Sequence, residues 1–183
     1  MTRMNDASLH VGWTRAVAAG LTFRRIAAAD LPFLGRRYAS TRADELAVTP
    51  WDDAQKAAFL DMQFRAQHAH YQQHYPDADW LVTMRGGADI GRLYIERWPT
   101  RHCLIDIAFL PEHRGRGLGE ALLRDVMDEA AAAGRDVSIH VEKFNPAMRL
   151  YRRLGFVTEE DKGVYDLMRW SPDRTAAQAN SAS

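Results

Sequence analysis

Apolar positions along this chain switch between a period of two and a period near four, and the switches predict its elements. Leu21 to Arg25 reads as a short strand. Ala28-Ala-Asp-Leu-Pro then opens a helix, with Asp30 as its cap and Pro32 in its first turn. A second helical region starts at Thr49-Pro-Trp-Asp, a capping box with Asp in place of the usual Glu; Leu60, Phe64 and Tyr71 mark its apolar face and Pro76 stops it. Trp80 to Arg85 is a strand, Gly86-Gly87 a hairpin turn and Ile90 to Trp98 the partner strand. Leu104 to Leu110 is a nearly continuous apolar run, expected as a strand buried on both faces and ended by Pro111. Leu118, Leu122, Val126 and Ala130 recur every four positions on a helix that Gly134 closes, and Val137-Ser-Ile-His-Val alternates as a fifth strand. Asn145 caps a last helix with Pro146 at its first position, Ala147, Leu150, Tyr151 and Leu154 on one face and Gly155 at its end.

The predicted order is one strand, two helices, three strands, helix, strand, helix and closing strands, an α/β (α+β) class. Residues 1–18 mix polar, small and scattered apolar types and are expected to be a flexible lead-in, 19–170 the domain, and 171–183 a disordered tail. With 183 residues and 46% apolar content the chain suits one well-packed domain. Its 24 basic and 24 acidic residues cancel, so bulk charge argues for neither nucleic acid nor an anionic membrane. The single cysteine, Cys103, excludes an internal disulfide framework and reads as a small core residue. The first twenty residues lack the apolar core of a signal peptide and no apolar run is long enough to span a bilayer, so a cytoplasmic protein is expected.

Candidate chemistry begins where the long apolar strand ends. From Arg114 to Gly119, two arginines alternate with three glycines immediately before a helix. Glycines let backbone amides converge, and a helix start adds four unpaired N–H groups at a positive dipole end, so the turn suits a phosphate or diphosphate. A turn that merely connects strand to helix is the plain alternative, but such a turn requires no arginines. There is no Gly-Lys-Ser/Thr for a nucleoside-triphosphate loop, and the third glycine of a dinucleotide fingerprint is missing. What fits is Arg114-x-x-Gly117-x-Gly119, which resembles the coenzyme A diphosphate loop of the GNAT superfamily, the Gcn5-related N-acetyltransferases. A second stretch, Asn145-Pro-Ala-Met-Arg-Leu-Tyr-Arg-Arg-Leu-Gly-Phe156, resembles another motif of that family. Spacing alone makes Tyr151 a core aromatic; the resemblance makes it a proton donor to the departing thiolate.

The resemblance spans roughly residues 21–170. It implies a mixed, mostly antiparallel sheet of six or seven strands flanked by about four helices, with strands four and five splayed apart. It implies acetyl-CoA as cofactor and direct transfer of an acetyl group to a primary amine of a small molecule, amino acid or peptide in a ternary complex. Ile107, Ala108, Phe109 and Leu110 would form the edge that receives the pantetheine arm, with the Phe109 amide stabilising the oxyanion. Arg114, Gly115, Arg116, Gly117, Leu118 and Gly119 would hold the diphosphate, mainly through backbone amides, Asn145 would touch the pantetheine and Tyr151 would be the general acid. No acyl-enzyme is implied.

An alkylammonium acceptor must lose a proton, and Glu45, Glu96 and Asp106 are candidate bases, Glu45 ranked first in a loop between the first two helices. Asp106, inside an apolar strand, must be hydrogen-bonded or functional. His70 and His74 lie four apart on a predicted helix, but the zinc-protease signature is absent and a solvated polar face is the reading adopted, with no metal expected. His140 alternates away from Val137, Ile139 and Val141 and could assist proton transfer if that face meets the groove. The segment from Tyr38 to Tyr75 is expected to shape the acceptor pocket. A non-catalytic domain that senses acyl-CoA is the alternative function; a monomer or homodimer is expected, with neither nucleic acid nor membrane as partner.

Overall fold

The computed structural model describes residues 12–173. Seven strands form one sheet in the order β1-β2-β3-β4-β5-β7-β6. They are β1 (Leu21–Arg25), β2 (Asp79–Arg85), β3 (Ala88–Arg97), β4 (Arg101–Phe109), β5 (Asp136–Glu142), β6 (Val157–Lys162) and β7 (Tyr165–Trp170). Five helices flank them: α1 (Thr14–Ala18), α2 (Leu31–Ala47), α3 (Asp53–His74), α4 (Leu118–Ala132) and α5 (Met148–Arg153). All neighbouring strands are antiparallel except β4 and β5, which run parallel because α4 crosses over between them.

The sheet separates two cores. On one face Leu93, Ile95 and Leu104 pack with Leu122, Leu123 and Val126 of α4 and with Met148, Tyr151 and Leu154 of α5. On the other, α2 and α3 enclose a smaller cluster of Leu34, Tyr38 and Phe64. Gly86 and Gly87 turn β2 into β3 with φ of +57° and +82°, the left-handed pair that a two-residue hairpin demands.

Several expectations shift. Residues 14–18 are helical rather than a loose lead-in, because Trp13 is buried and its indole donates to Glu129 at 2.7 Å; one short turn gave no periodicity to read. The remainder of the expected lead-in, 1–11, and residues 174–183 of the expected tail lie outside the described residues. Asp30 does not cap α2; its carboxylate takes both terminal nitrogens of Arg24, at 2.7 and 2.8 Å, and the Ala27 amide at 2.8 Å. Asp52, not Thr49, caps α3, exchanging hydrogen bonds with Gln55 in a capping box. The central strand begins at Arg101, and Ile105 to Ala108 are only half-buried rather than sealed on both faces.

Candidate active site

The reason for that partial burial is that β4 and β5 part company. Their pairing runs from Arg101 opposite Asp136 to Leu104 opposite Ile139 and stops. On the other side of β4, Tyr94 opposes Asp106 and Ile95 opposes Leu104, so Ile105 is an extra residue. Such a bulge bends its strand, and the wedge between β4 and β5 opens where it occurs.

Hydrogen-bond direction decides what faces the wedge. The Leu110 amide donates to the Ile90 carbonyl at 2.8 Å, toward β3. Backbone groups alternate sides along a strand, so those of Phe109 and Ile107 point into the wedge, whereas those of Ala108, like the Leu110 amide, belong to the β3 side. Of the four residues expected to form the open edge, Ile107 and Phe109 therefore offer backbone groups and Ala108 and Leu110 do not. The Phe109 carbonyl already accepts from Arg114 Nε at 2.9 Å, which leaves its amide facing the wedge. Gly91 makes this close pairing possible: a Cβ there would lie 2.4 Å from the Ala108 carbonyl oxygen.

Beyond the strand, Pro111–His113 forms a 3-10 turn and the glycine-rich segment leads into α4. Gly115 and Gly117 have φ of +68° and +76°, and no atom lies within 4 Å of where their Cβ atoms would be. Among the described residues, the amides of Gly115, Arg116, Gly117, Leu118, Gly119 and Glu120 make no hydrogen bond. A run of unpaired N–H groups in an open loop at a helix N-terminus is an anion cradle. Arg114 folds back on the strand end, with Nη2 3.5 Å from Ser40 Oγ, while Arg116 is exposed and Leu118 buried.

Asn145 does not cap α5, and Pro146 is not its first residue: Asn145 Oδ1 accepts from the Ala147 amide at 2.9 Å in a turn, and the helix begins only at Met148, with Ala147 at its N-cap. From α5, Tyr151 enters the core against Phe156, ring centroids 5.6 Å apart, and is 4% exposed. Its hydroxyl makes no hydrogen bond among the described residues. Burial, and then the charge of Asp106, push its ionisation well above that of a free phenol.

The opposite face of the wedge, under α2 and α3, is polar. The register places Arg92 beside Ala108 and Tyr94 beside Asp106 on this face. Arg92 forms an ion pair with Asp106 and donates to Gln67 Oε1 at 3.1 Å. Asp106 is thus the hydrogen-bonded carboxylate that its apolar strand required. Next to it is a cavity of about 580 Å³ whose lining includes Tyr38, Arg42, Glu45, Gln63, Gln67 and Tyr165. Glu45 lies in the last turn of α2, not in a loop, because that helix continues to Ala47. Arg42 bridges Glu45 at 2.9 Å and Glu142 at 2.7 Å, and Tyr165 also donates to Glu142, at 3.3 Å.

The other candidates fall elsewhere. Glu96 is buried, accepts from the Asp77 amide and the Trp98 indole, and is not in the cavity lining. Cys103 is buried, which pushes its thiol up to about 11 and keeps it protonated. His140 lies on the α2/α3 side of β5, one residue past the last β4 pair, and is exposed. His70 and His74 stack at the surface with centroids 4.0 Å apart, and no group of three potential metal ligands gathers among the described residues. Arg92, Gln67, Glu142 and Tyr165 escaped the sequence reading. An arginine and an aspartate inside neighbouring apolar strands were a usable signal for the first; Glu142 and Tyr165 end their strands and gave none.

A model described as the acetyltransferase (GNAT) family matches residues 43–156. Mycothiol acetyltransferase of Corynebacterium glutamicum is 31% identical over 105 residues, covering 56% of this chain and 36% of that protein. Streptothricin acetyltransferase of Streptomyces lavendulae is 34% identical over 87 residues, 44% of this chain and 46% of that one. The matched stretches thus span less than half the length of either relative. In fold, the chain is similar to the PaiA N-acetyltransferase of Thermoplasma acidophilum, solved in complex with coenzyme A: TM-score 0.62, 16% identity, covering 82% of this chain and 98% of that one. It is also similar to YncA of Salmonella typhimurium, solved with acetyl-CoA, at a TM-score of 0.50 and 22% identity over 82% of this chain and 93% of that one.

Proposed function

The chain belongs to the acetyltransferase (GNAT) family, and we propose that it moves an acetyl group from acetyl-CoA to a primary amine of a small molecule, amino acid or peptide by direct attack. One observation carries the proposal: six consecutive amides, Gly115 to Glu120, unpaired among the described residues, follow a β4 edge that presents the Ile107 and Phe109 backbone to the wedge. The cradle fits a diphosphate, since neither positive-φ glycine has a Cβ to obstruct it. The edge fits an amide-bearing arm, which can pair with backbone groups as a strand would. Asn145, three residues past the end of β5, is the residue that the family motif implies for contact with the pantetheine arm. Acetyl-CoA, when bound, supplies an activated acetyl thioester.

The chain's own groups supply the rest. The Phe109 N–H, aimed into the wedge, stabilises negative charge that develops on an oxygen placed there. Tyr151 keeps its proton on Oη across the physiological range and can give it to a thiolate leaving group. Of the three carboxylates weighed, Glu45 is in the cavity lining and Glu96 and Asp106 are not, which supports Glu45 as the proton acceptor for the incoming ammonium, directly or through water. The two named relatives are called after different acceptors, mycothiol and streptothricin, so they leave the acceptor of this chain open.

Calorimetric titration with acetyl-CoA, followed by pooled amines with free thiol monitored, tests the reading. Binding with amine-dependent thiol release is the expected outcome. Binding without release points to an acyl-CoA sensor, and absence of binding removes the cradle assignment.

A further inference from the structure

Beneath α2 lies a positive charge that the acetyl-transfer account does not use. Arg37 is 3% exposed, yet its side chain makes no hydrogen bond or ion pair among the described residues, and its Nε is sealed from solvent without a partner. Its charge interacts with those of Arg92, Asp106, Tyr94 and Arg114, and α2, which carries it, packs on β3. Arg92 is also buried, with its own Nε unsatisfied, and Asp106 is its one carboxylate. Tyr94 Oη is sealed in the same cluster without a hydrogen-bond partner among the described residues, and the Arg92 guanidinium lies 4.9 Å from its ring centroid. Of two buried guanidiniums near one carboxylate, only Arg92 is paired with it, which leaves a net excess of one positive charge. Burial, followed by repulsion from Arg92, lowers Arg37 to about 10, which still leaves it charged at neutral pH.

A buried unpaired cation is costly, and proteins retain one where an anion arrives to complete it. The neighbouring cavity is where an acceptor would lie: Gln67, which accepts from Arg92, lines it, and Arg37 stands behind that lining in the same buried charge cluster. Glu45, in the cavity lining, and Glu142 both accept from Arg42, and neither pairs with Arg37. They are suited to the ammonium end of an acceptor. The interior guanidinium is suited to the other end.

We propose that the acceptor is an amine that also carries a carboxylate, such as an amino acid or a peptide with a free C-terminus, and that Arg37 binds this carboxylate beside the Arg92–Asp106 pair. This rests on the acetyltransferase reading and narrows its substrate class. A planar guanidinium with its donors uncommitted matches a carboxylate in two-point geometry. Coenzyme A phosphates are the competing anion, given the nearness of Arg114, and the test separates the two sources.

The test uses the full chain and matched pairs of L-amino acids and their carboxamides, with acetyl-CoA affinity measured separately by calorimetry. For the unaltered protein, kcat/KM for the acids should exceed that for the amides at least tenfold. Arg37→Met should abolish that preference through a rise in KM and leave the Kd for acetyl-CoA unchanged; Arg37→Lys should retain part of it. Thermal melting with each acid or amide supplies a readout independent of turnover: acids, not amides, should raise Tm in the unaltered protein and fail to do so in Arg37→Met. If Arg37→Met does not melt cooperatively, the comparison is read from Arg37→Lys, in which a preference reduced several-fold supports the proposal and an unchanged one overturns it. Acids and amides used and bound alike overturn the proposal while leaving acetyl transfer intact. Loss of acetyl-CoA affinity in Arg37→Met also overturns it, assigning the charge to the cofactor. If the unaltered protein binds no acetyl-CoA, the acetyltransferase reading fails and the proposal falls with it.

Discussion

A phenol sealed among apolar side chains keeps its proton, and Tyr151 combines that property with a hydroxyl left without a hydrogen-bond partner among the described residues. Tyr151→Phe removes one oxygen from a core of otherwise unchanged shape, so Tm and acetyl-CoA affinity should hold while kcat falls by about 100-fold, the usual scale of general acid catalysis. Steady-state kinetics beside a calorimetric titration would show this, and an unchanged kcat would return the residue to the core. For Glu45→Gln the expected change is loss of the acidic limb in the pH dependence of kcat/KM, since the amide cannot accept a proton; a limb that persists would shift attention to Glu142, which shares Arg42 with it. At this scale the sequence was only partly legible. Tyr151 stands out by motif, but local spacing suggests Asp30 and Thr49 as caps, whereas Asp30 pairs with Arg24 and Asp52 caps α3. Arg37 was invisible, because a buried arginine on a helix has the same one-letter neighbourhood as an exposed one.

The element that links strand, loop and helix is the one the chain declared most openly. Alternating glycines ahead of a period-four apolar stripe left few other conformations, and α4 starts where that stripe starts. Gly117→Val would have to hold a β-branched residue at φ +76°, a conformation that costs about 1–3 kcal/mol, and would place methyl groups beside the amides of the cradle. Affinity for acetyl-CoA should fall at least tenfold in calorimetry, more than any change in Tm would explain; an unaltered Kd would remove the diphosphate assignment. The wedge, by contrast, could not be read from the run Leu104 to Leu110, whose composition suits a fully paired strand equally well. What opens it is the extra residue at Ile105, and a bulge is a property of the pairing between two strands, not of either strand alone. The last turn of α2 is likewise hidden in the sequence, since the polar run from Ser40 to Glu45 suits a loop as well as a helix.

For the molecule as a whole, the succession of strands and helices is legible in the sequence, whereas the place of β7 between β5 and β6 and the contact between α1 and α4 are not. That contact converges on Glu129, which accepts from Trp13, Arg97 and His102 and so ties α1, β3 and β4 to α4. Burial alone would raise this carboxyl, but the hydrogen bonds from His102 and Arg97, with that from Trp13, outweigh it and hold it well below the usual carboxylate range. A carboxyl whose ionisation is depressed by folding stabilises the fold above its unfolded value of 4.5, and the contribution fades as pH falls through the folded value. Thermal melts of the unaltered protein should therefore lose Tm below about pH 4.5, and Glu129→Gln should show a shallower loss over the same range. Parallel slopes for the two proteins would mean that other carboxylates set the acid limit.

The four residue pairs that join β4 to β5 divide the sheet into two blades on a short hinge: β1 to β4 on one side, β5, β7 and β6 on the other. A sheet with an unfilled gap through its middle is missing a rung ladder that a guest strand could complete. A molecule lying along the β4 edge would act as a splint, continuing the ladder where the protein leaves it unfinished. Occupancy and stiffness would then be one quantity, and the ligand would count among the structural members of the fold.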